Sequence, residues 1–317
     1  MYINKSNVIQ TVYGQDGEPY AIFPNEAVSE DALTLVTRLP SFKKINKVIL
    51  DYNSIFLRRT HALGDIVLLF PIVNYLRKRG KQVYLCTNDR YAIKNIDFII
   101  PSPTYFSRDF DISYNLTGVL ELDHIKANLF ERSRLDIYCD FLKILDLGTP
   151  DWNINIEDVN FPKDVLGIQL SGSTAFKNVD LSTTIARLSK KYKLFIIDAF
   201  GNFVKNDNTL YEKVSLSKLL SYMKKMIGVV CFDSGPLWLS HVTNTPAFVI
   251  VGPTSGKKVI KHHPNSKTCY FDTKQDMGCT TSCGESMKAC KGRCKCMKNV
   301  NQSRLNSELE SWIKELL

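Results

Sequence analysis

The sequence lacks the segments that would send a protein into or across a membrane. Nowhere in its 317 residues is there a run of about twenty apolar residues, the length that a membrane-spanning helix needs. The N-terminal stretch "MYINKSNVIQTVYGQDGEPYAIF" contains no apolar core of a secretory signal. We therefore expect a cytoplasmic protein.

The sequence has fewer acidic than basic side chains. It contains 32 Asp and Glu residues and 41 Lys and Arg residues, which gives a formal net charge of +9. This balance favours anionic partners such as nucleotides, anionic glycolipids or nucleic acid, and it does not choose among them. With 44% apolar and 23% charged residues, the composition is that of a globular chain long enough for two domains.

The nine cysteines do not form the paired C-x-x-C elements of a zinc ribbon. Four of them, Cys86, Cys139, Cys231 and Cys269, lie within or beside apolar segments, where a cysteine is most often a small buried hydrophobe. The other five crowd into "GCTTSCGESMKACKGRCKCMKN", as Cys279, Cys283, Cys290, Cys294 and Cys296. Four thiolates in a short loop suit a tetrahedral zinc or iron ion, with the first four as expected ligands and the fifth able to replace one. Reduced thiols or a disulfide-stapled loop remain the alternatives.

The pattern of apolar segments predicts two α/β halves. Residues 1–53 form an N-terminal β extension, with a hairpin turning at Asp16-Gly17 and a further strand at "KVILDYN". Strands alternate with helices in a first domain at 54–160 and again in a second at 161–302, which includes the cysteine-rich loop 277–298. A C-terminal helix follows at 303–317. Two such halves are expected to enclose a ligand cleft.

Three loops follow predicted strands directly, at the position where open α/β sheets carry their chemistry. The first contains Gly64 and Asp65, and the second is "SGSTAFKN" at 171–178. The third is "DSGPLW" at 233–238. Asp65 is also of the type that caps a helix N-terminus. "DSGP" fits an anion site at a helix start, and a plain turn capped by Ser234 or Asp233 explains it about equally well. "SGSTAFK" lacks the spacing of a P-loop, so it does not indicate an ATPase.

Charged residues near these loops have two readings. Arg58 and Arg59 could meet an anionic ligand, but a charged pair at a strand end is more often a solvated end. His61 could position an acceptor. Glu121, Arg132 and Arg134 are cleft candidates, although helix-surface charge accounts for the arginines almost as well. The spacing of His241, His262 and His263 does not indicate a site.

Together the loops resemble glycosyltransferase family 9, the ADP-heptose:lipopolysaccharide heptosyltransferases and their relatives. The resemblance rests on "RRTHALGDIVLLFPIVNYLRKRG", "GIQLSGSTAFKN" and "LSKLLSYMKKMIGVVCFDSGPLWLSHVTNTPAFVIVGPT", in that order, and spans roughly residues 54–254. It implies the GT-B fold, two Rossmann-like domains with an acceptor site in the first and a nucleotide-sugar site in the second. It also implies an inverting transfer that needs no catalytic metal.

Position by position, the resemblance makes Asp65 the general base that deprotonates the acceptor hydroxyl. The residues that it assigns to the donor are Ser171, Ser173, Lys177, Asp233, Ser234, Gly235 and Trp238, and those assigned to the acceptor are Arg59, His61 and Gly64. Family 9 usually has histidine where this chain has Trp238, which cannot ionise and suits stacking on a sugar or base. The chain also resembles the autotransporter heptosyltransferases, which have tryptophan in this neighbourhood and a structural, cysteine-bound iron.

The acceptor stays open among lipopolysaccharide or another glycan, a protein hydroxyl, and hydroxymethylpyrimidine DNA. A DNA-modifying enzyme encoded by a phage would work in the cytoplasm of its bacterial host, although the sequence has no nucleic-acid-binding motif. The competing class is a non-catalytic, metal-stapled protein that binds a sugar nucleotide without transferring the sugar. The oligomeric state is not predicted.

Overall fold

The computed structural model describes residues 2–5, 10–13, 19–22, 26–28, 42–44, 47–88, 91–102, 110–117, 119–120, 132–172, 178–198, 208–277 and 295–317. Contacts divide the chain into two compact units. Unit 1 consists of Met1–Leu129 and Arg134–Asn153, and unit 2 of Phe130–Ser133 and Ile154–Leu317. Within the described ranges, no helix has the length and apolar character needed to cross a membrane.

Unit 1 is built on a seven-stranded sheet. Its strands are β1 (Tyr2–Asn4), β4 (Glu26–Val28), β5 (Phe42–Lys44), β6 (Ser54–Arg58), β7 (Gln82–Asn88), β8 (Ile99–Ser102) and β9 (Ile112–Asn115), in the order β5-β1-β4-β9-β6-β7-β8. β1 is antiparallel to both of its neighbours, and the other pairings are parallel. The predicted N-terminal hairpin is confirmed as β2 (Gln10–Tyr13) and β3 (Pro19–Ile22), although its turn lies outside the described residues.

The helices of unit 1 with described bounds are α1 (Leu63–Val67), α2 (Phe70–Arg77) and α3 (Arg134–Phe141). The apolar spacing that predicted a helix after Asp65 is confirmed, because all five spaced side chains are fully buried: Ile66, Leu69, Phe70, Val73 and Leu76. The strand predicted at "KVILDYN" is wrong, since Ile49–Asp51 form a 3-10 helix. Its first residue, Ile49, is fully buried. The long helix predicted through "NLFERSRLDIYCDFLKIL" is too long. Arg134–Phe141 are helical, the described residues 132–133 and 142–145 are not, and 128–131 lie outside the described residues.

Unit 2 contains a six-stranded, fully parallel sheet. Its strands are β10 (Val165–Gln169), β11 (Lys193–Ile197), β12 (Thr209–Leu210), β13 (Gly228–Phe232), β14 (Ala247–Val251) and β15 (Cys269–Asp272). They lie in the order β12-β11-β10-β13-β14-β15. Counted from β10, this is 3-2-1-4-5-6, the strand order of a doubly wound dinucleotide-binding fold. The predicted α/β class with two mainly parallel sheets is confirmed.

Six helices accompany this sheet among the described residues: α4 (Ser182–Leu188), α5 (Leu216–Met223), α6 (Gly235–Thr243), α7 (Gly256–Val259), α8 (Lys295–Lys298) and α9 (Gln302–Leu316). A 3-10 turn forms at Gln275–Met277. The apolar face predicted for the last helix is confirmed, because Leu305, Leu309, Trp312 and Ile313 are all buried in the core. α9 therefore belongs to the same core as the sheet.

Candidate active site

In each unit the strand order reverses beside a strand that leads into a predicted site loop. In unit 2 the reversal lies between β10 and β13, which lead into Ser171 and Asp233. In unit 1 it lies between β6 and β9, and β6 leads into Arg59. Crevices outside the carboxyl ends of strands at such a reversal are where open α/β sheets bind ligands. The topology thus marks one candidate site in each unit.

The candidate site of unit 1 centres on a buried ion pair. Arg59 is 3% exposed and Asp65 8% exposed, and Arg59 Nη2 donates to Asp65 Oδ2 at 2.6 Å. Arg59 Nη1 also donates to the carbonyl of Leu116, which follows β9, at 3.2 Å. On the other side, Arg134 Nη1 lies 3.8 Å from Asp65 Oδ1. The interpretation of Arg59 as a solvated strand end is therefore wrong.

Asp65 does not cap α1. The N-cap position belongs to Ala62, and Asp65 lies in the first turn with its carboxylate directed to the two arginines. Ala62 has a φ of 63°, in the left-handed region that residues with a side chain rarely adopt. Its carbonyl accepts from the amide groups of Asp65 at 3.0 Å and Ile66 at 3.2 Å. This tight turn between strand and helix lets the Asp65 carboxylate reach Arg59, and the prediction of Asp65 as a helix cap is wrong.

The other two predicted acceptor residues lie in the same turn. His61 is exposed, and its Nδ1 lies 2.8 Å from the hydroxyl of Thr60. Gly64 is half-buried inside α1. The neighbouring Arg58 pairs with Glu26 of β4 through two hydrogen bonds, of 2.6 Å and 2.7 Å, and so ties the N-terminal strands to the site. His61 and Gly64 thus lie in the same strand-to-helix turn as Asp65. Their proposed roles in binding the acceptor stay predictions.

The candidate site of unit 2 is formed by the loops after β10 and β13. Ser171 and Ser234 are both half-buried, and Asp233 is 4% exposed. The amide of Gly172 donates to Asn178 Oδ1 at 2.7 Å, which joins the two described ends of the "SGSTAFKN" loop. Ser173 and Lys177 themselves lie outside the described residues.

Ser234 occupies the N-cap position of α6 without capping the helix by its side chain. Its hydroxyl instead donates to Gln169 Oε1 at 2.8 Å. The plain-cap interpretation of Ser234 is therefore wrong. Gly235 is the first residue of α6, where the helix dipole favours negative charge. The next residue, Pro236, has no N–H group, and the amide of Leu237 donates to the carbonyl of Ser234 at 3.1 Å, so the start of the helix offers an anion the amide of Gly235 and the dipole. This arrangement suits an anion at the start of α6.

Trp238 faces the interior of unit 2. It is 3% exposed, and its ring stacks on His241 with centroids 4.9 Å apart. His241 in turn contacts His263 at 4.3 Å between ring centroids. Burial lowers the pKa of His263 to about 3 and, with the neighbouring His263, lowers the pKa of His241 well below its usual range. The role of Trp238 in stacking on a donor stays a prediction.

Sequence reasoning missed two features of this unit. The spacing of Trp238 and His241, three residues apart on one helix, was the signal for their contact, whereas nothing in the sequence pointed to His263 as the next ring. Gln169 was also missed, because a polar residue ending an apolar strand carries no motif. Its amide contacts both site loops.

The cysteine cluster lies mostly outside the described residues, which exclude Cys279, Cys283, Cys290 and Cys294. Cys296 is buried in the core with Met297 beside it. In the part of the chain that the structure describes, no group of three or more His, Cys, Asp or Glu residues could hold a metal ion. Three of the four scattered thiols, Cys86, Cys139 and Cys231, are buried as predicted, and Cys269 is half-buried.

The fold resembles that of the family 9 glycosyltransferases, which confirms the predicted resemblance at the level of structure. One similar structure is a family 9 glycosyl transferase from Veillonella parvula DSM 2008, at 15% identity and a TM-score of 0.56, covering 84% of this chain and 97% of the other. Another is the dodecameric iron-containing heptosyltransferase TibC of enterotoxigenic E. coli H10407 in complex with ADP-D-beta-D-heptose, at 12% identity and a TM-score of 0.59, covering 97% and 91%. A third is the E. coli heptosyltransferase WaaC with ADP, at 11% identity and a TM-score of 0.53, covering 83% and 100%. No protein-family model matches the sequence, and no curated protein matches it significantly.

Proposed function

We propose that this protein is an inverting glycosyltransferase that uses a nucleotide diphosphate sugar, with heptosyltransferase-like chemistry. The observation that carries the proposal is the chemistry at the two reversal points. One holds a buried, oriented carboxylate, and the other opens onto a helix start suited to a diphosphate. An inverting transfer needs a base at the nucleophile and positive charge or N–H donors at the leaving group.

Asp65 is the proposed general base. Its Oδ2 accepts the hydrogen bond from Arg59, whereas among the described residues Oδ1 has only the longer 3.8 Å contact with Arg134. Arg59 thus orients the carboxylate and leaves Oδ1 to take the proton of the acceptor hydroxyl. The hydroxyl oxygen then bonds to the anomeric carbon, while the bond from that carbon to the diphosphate oxygen breaks and its electron pair leaves with the nucleotide diphosphate.

The leaving diphosphate is the proposed ligand of unit 2. The start of α6 at Ser234 and Gly235 supplies N–H groups and a positive dipole end, and Lys177 supplies a cation. Ser171 and Ser173 supply further hydroxyl donors, and Asp233 lies near the transferred sugar. These groups carry the charge that a metal ion carries in other glycosyltransferases, so we propose that no catalytic metal takes part. The neighbouring structures include complexes with ADP and ADP-heptose, which supports a donor of this kind.

The test is turnover of nucleotide sugars by Asp65→Asn and Lys177→Ala, measured as donor hydrolysis and as transfer. Loss of a general base costs about two to four powers of ten in rate, and we expect Asp65→Asn to fall in that range. The matched controls are Asp97→Asn, an exposed carboxylate that pairs with Arg77 in the same unit, and Lys258→Ala in unit 2. Unchanged turnover in both Asp65→Asn and Lys177→Ala would mean that these roles are wrong.

The acceptor is proposed to be a hydroxyl on an anionic or polar surface: lipopolysaccharide or another glycan, a protein, or hydroxymethylpyrimidine DNA. Mass spectrometry of each candidate after incubation with the donor identifies the product. Binding to duplex DNA that weakens steeply with salt would favour the DNA acceptor. A donor that binds without a product in any acceptor class would favour the non-catalytic binding protein instead.

We propose a structural zinc or iron ion at the cysteine-rich loop, with Cys279, Cys283, Cys290 and Cys294 as ligands. The proposal is supported by the density of thiols in that loop and by the iron content of TibC. Elemental analysis of the purified protein should find about one metal ion per chain, and Cys283→Ser should lower that content. Full metal content in Cys283→Ser would point to Cys296 as the replacing ligand.

A further inference from the structure

The side chain of Gln169 crosses the reversal point of unit 2. It is 3% exposed and stands at the end of β10. Its Nε2 donates to the carbonyl of Ser171 at 2.8 Å. Its Oε1 accepts from the amide of Phe232 at 3.1 Å and from the hydroxyl of Ser234 at 2.8 Å. One buried amide therefore bonds to the loop after β10 and to the loop after β13.

The partners of Gln169 require an amide. The carbonyl of Ser171 can only accept, and the amide of Phe232 can only donate, so the two ends of the side chain have fixed and opposite roles. A glutamate at position 169 would keep the acceptor and lose the donor. A methionine would fill the same space and lose both.

The contact also fixes the hydroxyl of Ser234. An N-cap serine normally accepts a hydrogen bond from the N–H group of the second or third helical residue. The second residue of α6, Pro236, has no N–H group, and the amide of Leu237 donates to the carbonyl of Ser234 at 3.1 Å. The Ser234 hydroxyl instead donates to Gln169 and, more weakly, at 3.3 Å to the carbonyl of Phe232. Gln169 thus sets the direction of the Ser234 side chain at the start of α6, which is nine residues long.

The two loops also pack against each other. A Cβ atom added to Gly172 would lie 3.6 Å from the Cβ of Ser234 and 3.4 Å from Asn178 Oδ1. The backbone after β10 therefore runs directly beside the start of α6. With the hydrogen bonds of Gln169, this contact joins Ser171, Gly172 and Ser234 into one packed group.

We propose that Gln169 is a positioning residue of the donor site: it holds the loop after β10 and the start of α6 in a fixed relation, and it fixes the direction of the Ser234 hydroxyl beside the place proposed for the diphosphate. The inference rests on the proposed function for the identity of the ligand. The coupling of the two loops by Gln169 can be measured without any ligand.

The experiment compares Gln169→Met and Gln169→Glu with Thr245→Val. Thr245 is 3% exposed, donates to the carbonyl of Met223 at 2.7 Å and shares a 2.7 Å hydrogen bond with the hydroxyl of Thr243, so its valine variant loses two buried hydrogen bonds in unit 2. Thr245 lies just before β14, at the amino ends of the strands, whereas the candidate site lies at their carboxyl ends. Hydrogen exchange of the backbone amides is measured first without ligand, followed by the affinity for ADP, UDP, GDP and inorganic pyrophosphate.

In Gln169→Met we expect exchange to speed up about tenfold in both loops, at 170–172 and 232–237, since a lost hydrogen bond corresponds to about that factor. Gln169→Glu should speed up exchange at 170–172 alone, because it keeps the acceptor for Phe232 and Ser234. Binding of the preferred nucleotide or of pyrophosphate by Gln169→Met should weaken about tenfold or more. Thr245→Val should leave loop exchange and affinity unchanged.

The outcomes separate the two proposals. Unchanged loop exchange in Gln169→Met would overturn the positioning role, whatever the ligand. If the wild-type protein binds nucleotide and Gln169→Met binds it equally well despite faster loop exchange, the positioning role is also overturned. A wild-type protein that binds none of the four probes would overturn the proposed donor site, while the exchange result would still decide whether Gln169 couples the loops.

Discussion

Two arginines at the end of one strand meet different acidic partners. Arg58 pairs with Glu26 of β4, and Arg59 pairs with Asp65 after the turn through Ala62. The sequence shows only that two charged residues end a strand. Whether they are buried depends on their partners, and these come from other elements: Glu26 lies 32 residues before Arg58, and Asp65 lies in α1. The position of Asp65 in the loop after a strand could be predicted, because that position is a local pattern.

The buried pair should matter more for stability than an exposed one. We expect Arg59→Met to lower the free energy of unfolding by about 3 kcal/mol, because it removes the 2.6 Å partner of the buried Asp65 carboxylate, and the other cation beside it among the described residues, Arg134, lies 3.8 Å away. Arg77→Met removes the bidentate pair with Asp97, whose side chains are 39% and 73% exposed, and should cost about 1 kcal/mol or less.

Urea denaturation of both variants measures the difference. Equal losses of stability would contradict the assignment of Arg59 as a buried partner of Asp65. Arg77→Met serves here as the matched control, since it lies on α2 of the same unit and makes two similar hydrogen bonds.

At the scale of secondary-structure elements, α9 packs closely against the start of β13. A Cβ atom added to Gly228 would lie 2.7 Å from both Trp312 and Leu316, closer than van der Waals contact allows. The glycine lets the helix approach the sheet. Periodicity predicted the apolar face of α9, but it could not show which strand the helix covers.

We expect Gly228→Ala to lower the melting temperature, because overpacking a core contact typically costs about 1–3 kcal/mol. Thermal unfolding followed by circular dichroism measures it. Combining the change with Leu316→Ala should recover part of the loss, since the leucine is one of the two side chains in the way. A melting temperature equal to that of the wild type would mean that α9 shifts without cost.

The elements that sequence reasoning found are those with strong local patterns. β6, β10, β13 and β14 are continuous apolar runs, and each was predicted to within about one or two residues. It did not find β8, β12 or β15, which are two to four residues long and owe their conformation to pairing with a neighbouring strand. Strand order could not be predicted either, because pairings between distant strands leave no periodic signal.

For the whole molecule, the buried histidines make stability depend on pH. His263 has its pKa lowered to about 3 by burial, against about 6.5 in an unfolded chain, and the pKa of His241 is lowered as well. The unfolded state therefore binds more protons than the folded state below pH 6.5. Stability from these groups is complete above that pH and is lost as the pH falls toward 3.

We expect the free energy of unfolding to fall by about 1.4 kcal/mol per pH unit for each such histidine as the pH falls below about 6. His263→Gln should make this slope smaller than that of the wild type by about the contribution of one histidine. Urea denaturation at several pH values between 7 and 4.5 measures both slopes. A slope unchanged by His263→Gln would mean that this histidine becomes protonated in the folded protein as readily as in the unfolded one.

The sheet of unit 1 pairs strands that are close in the sequence and strands that are far apart. β6 and β7 are close in sequence and can pair early, whereas β4 pairs with β9, residue 26 with residue 113. During synthesis, β4 cannot pair with β9 until β9 has been made. Glu26 of β4 therefore gains its place beside Arg58 only after the chain has been synthesised as far as β9.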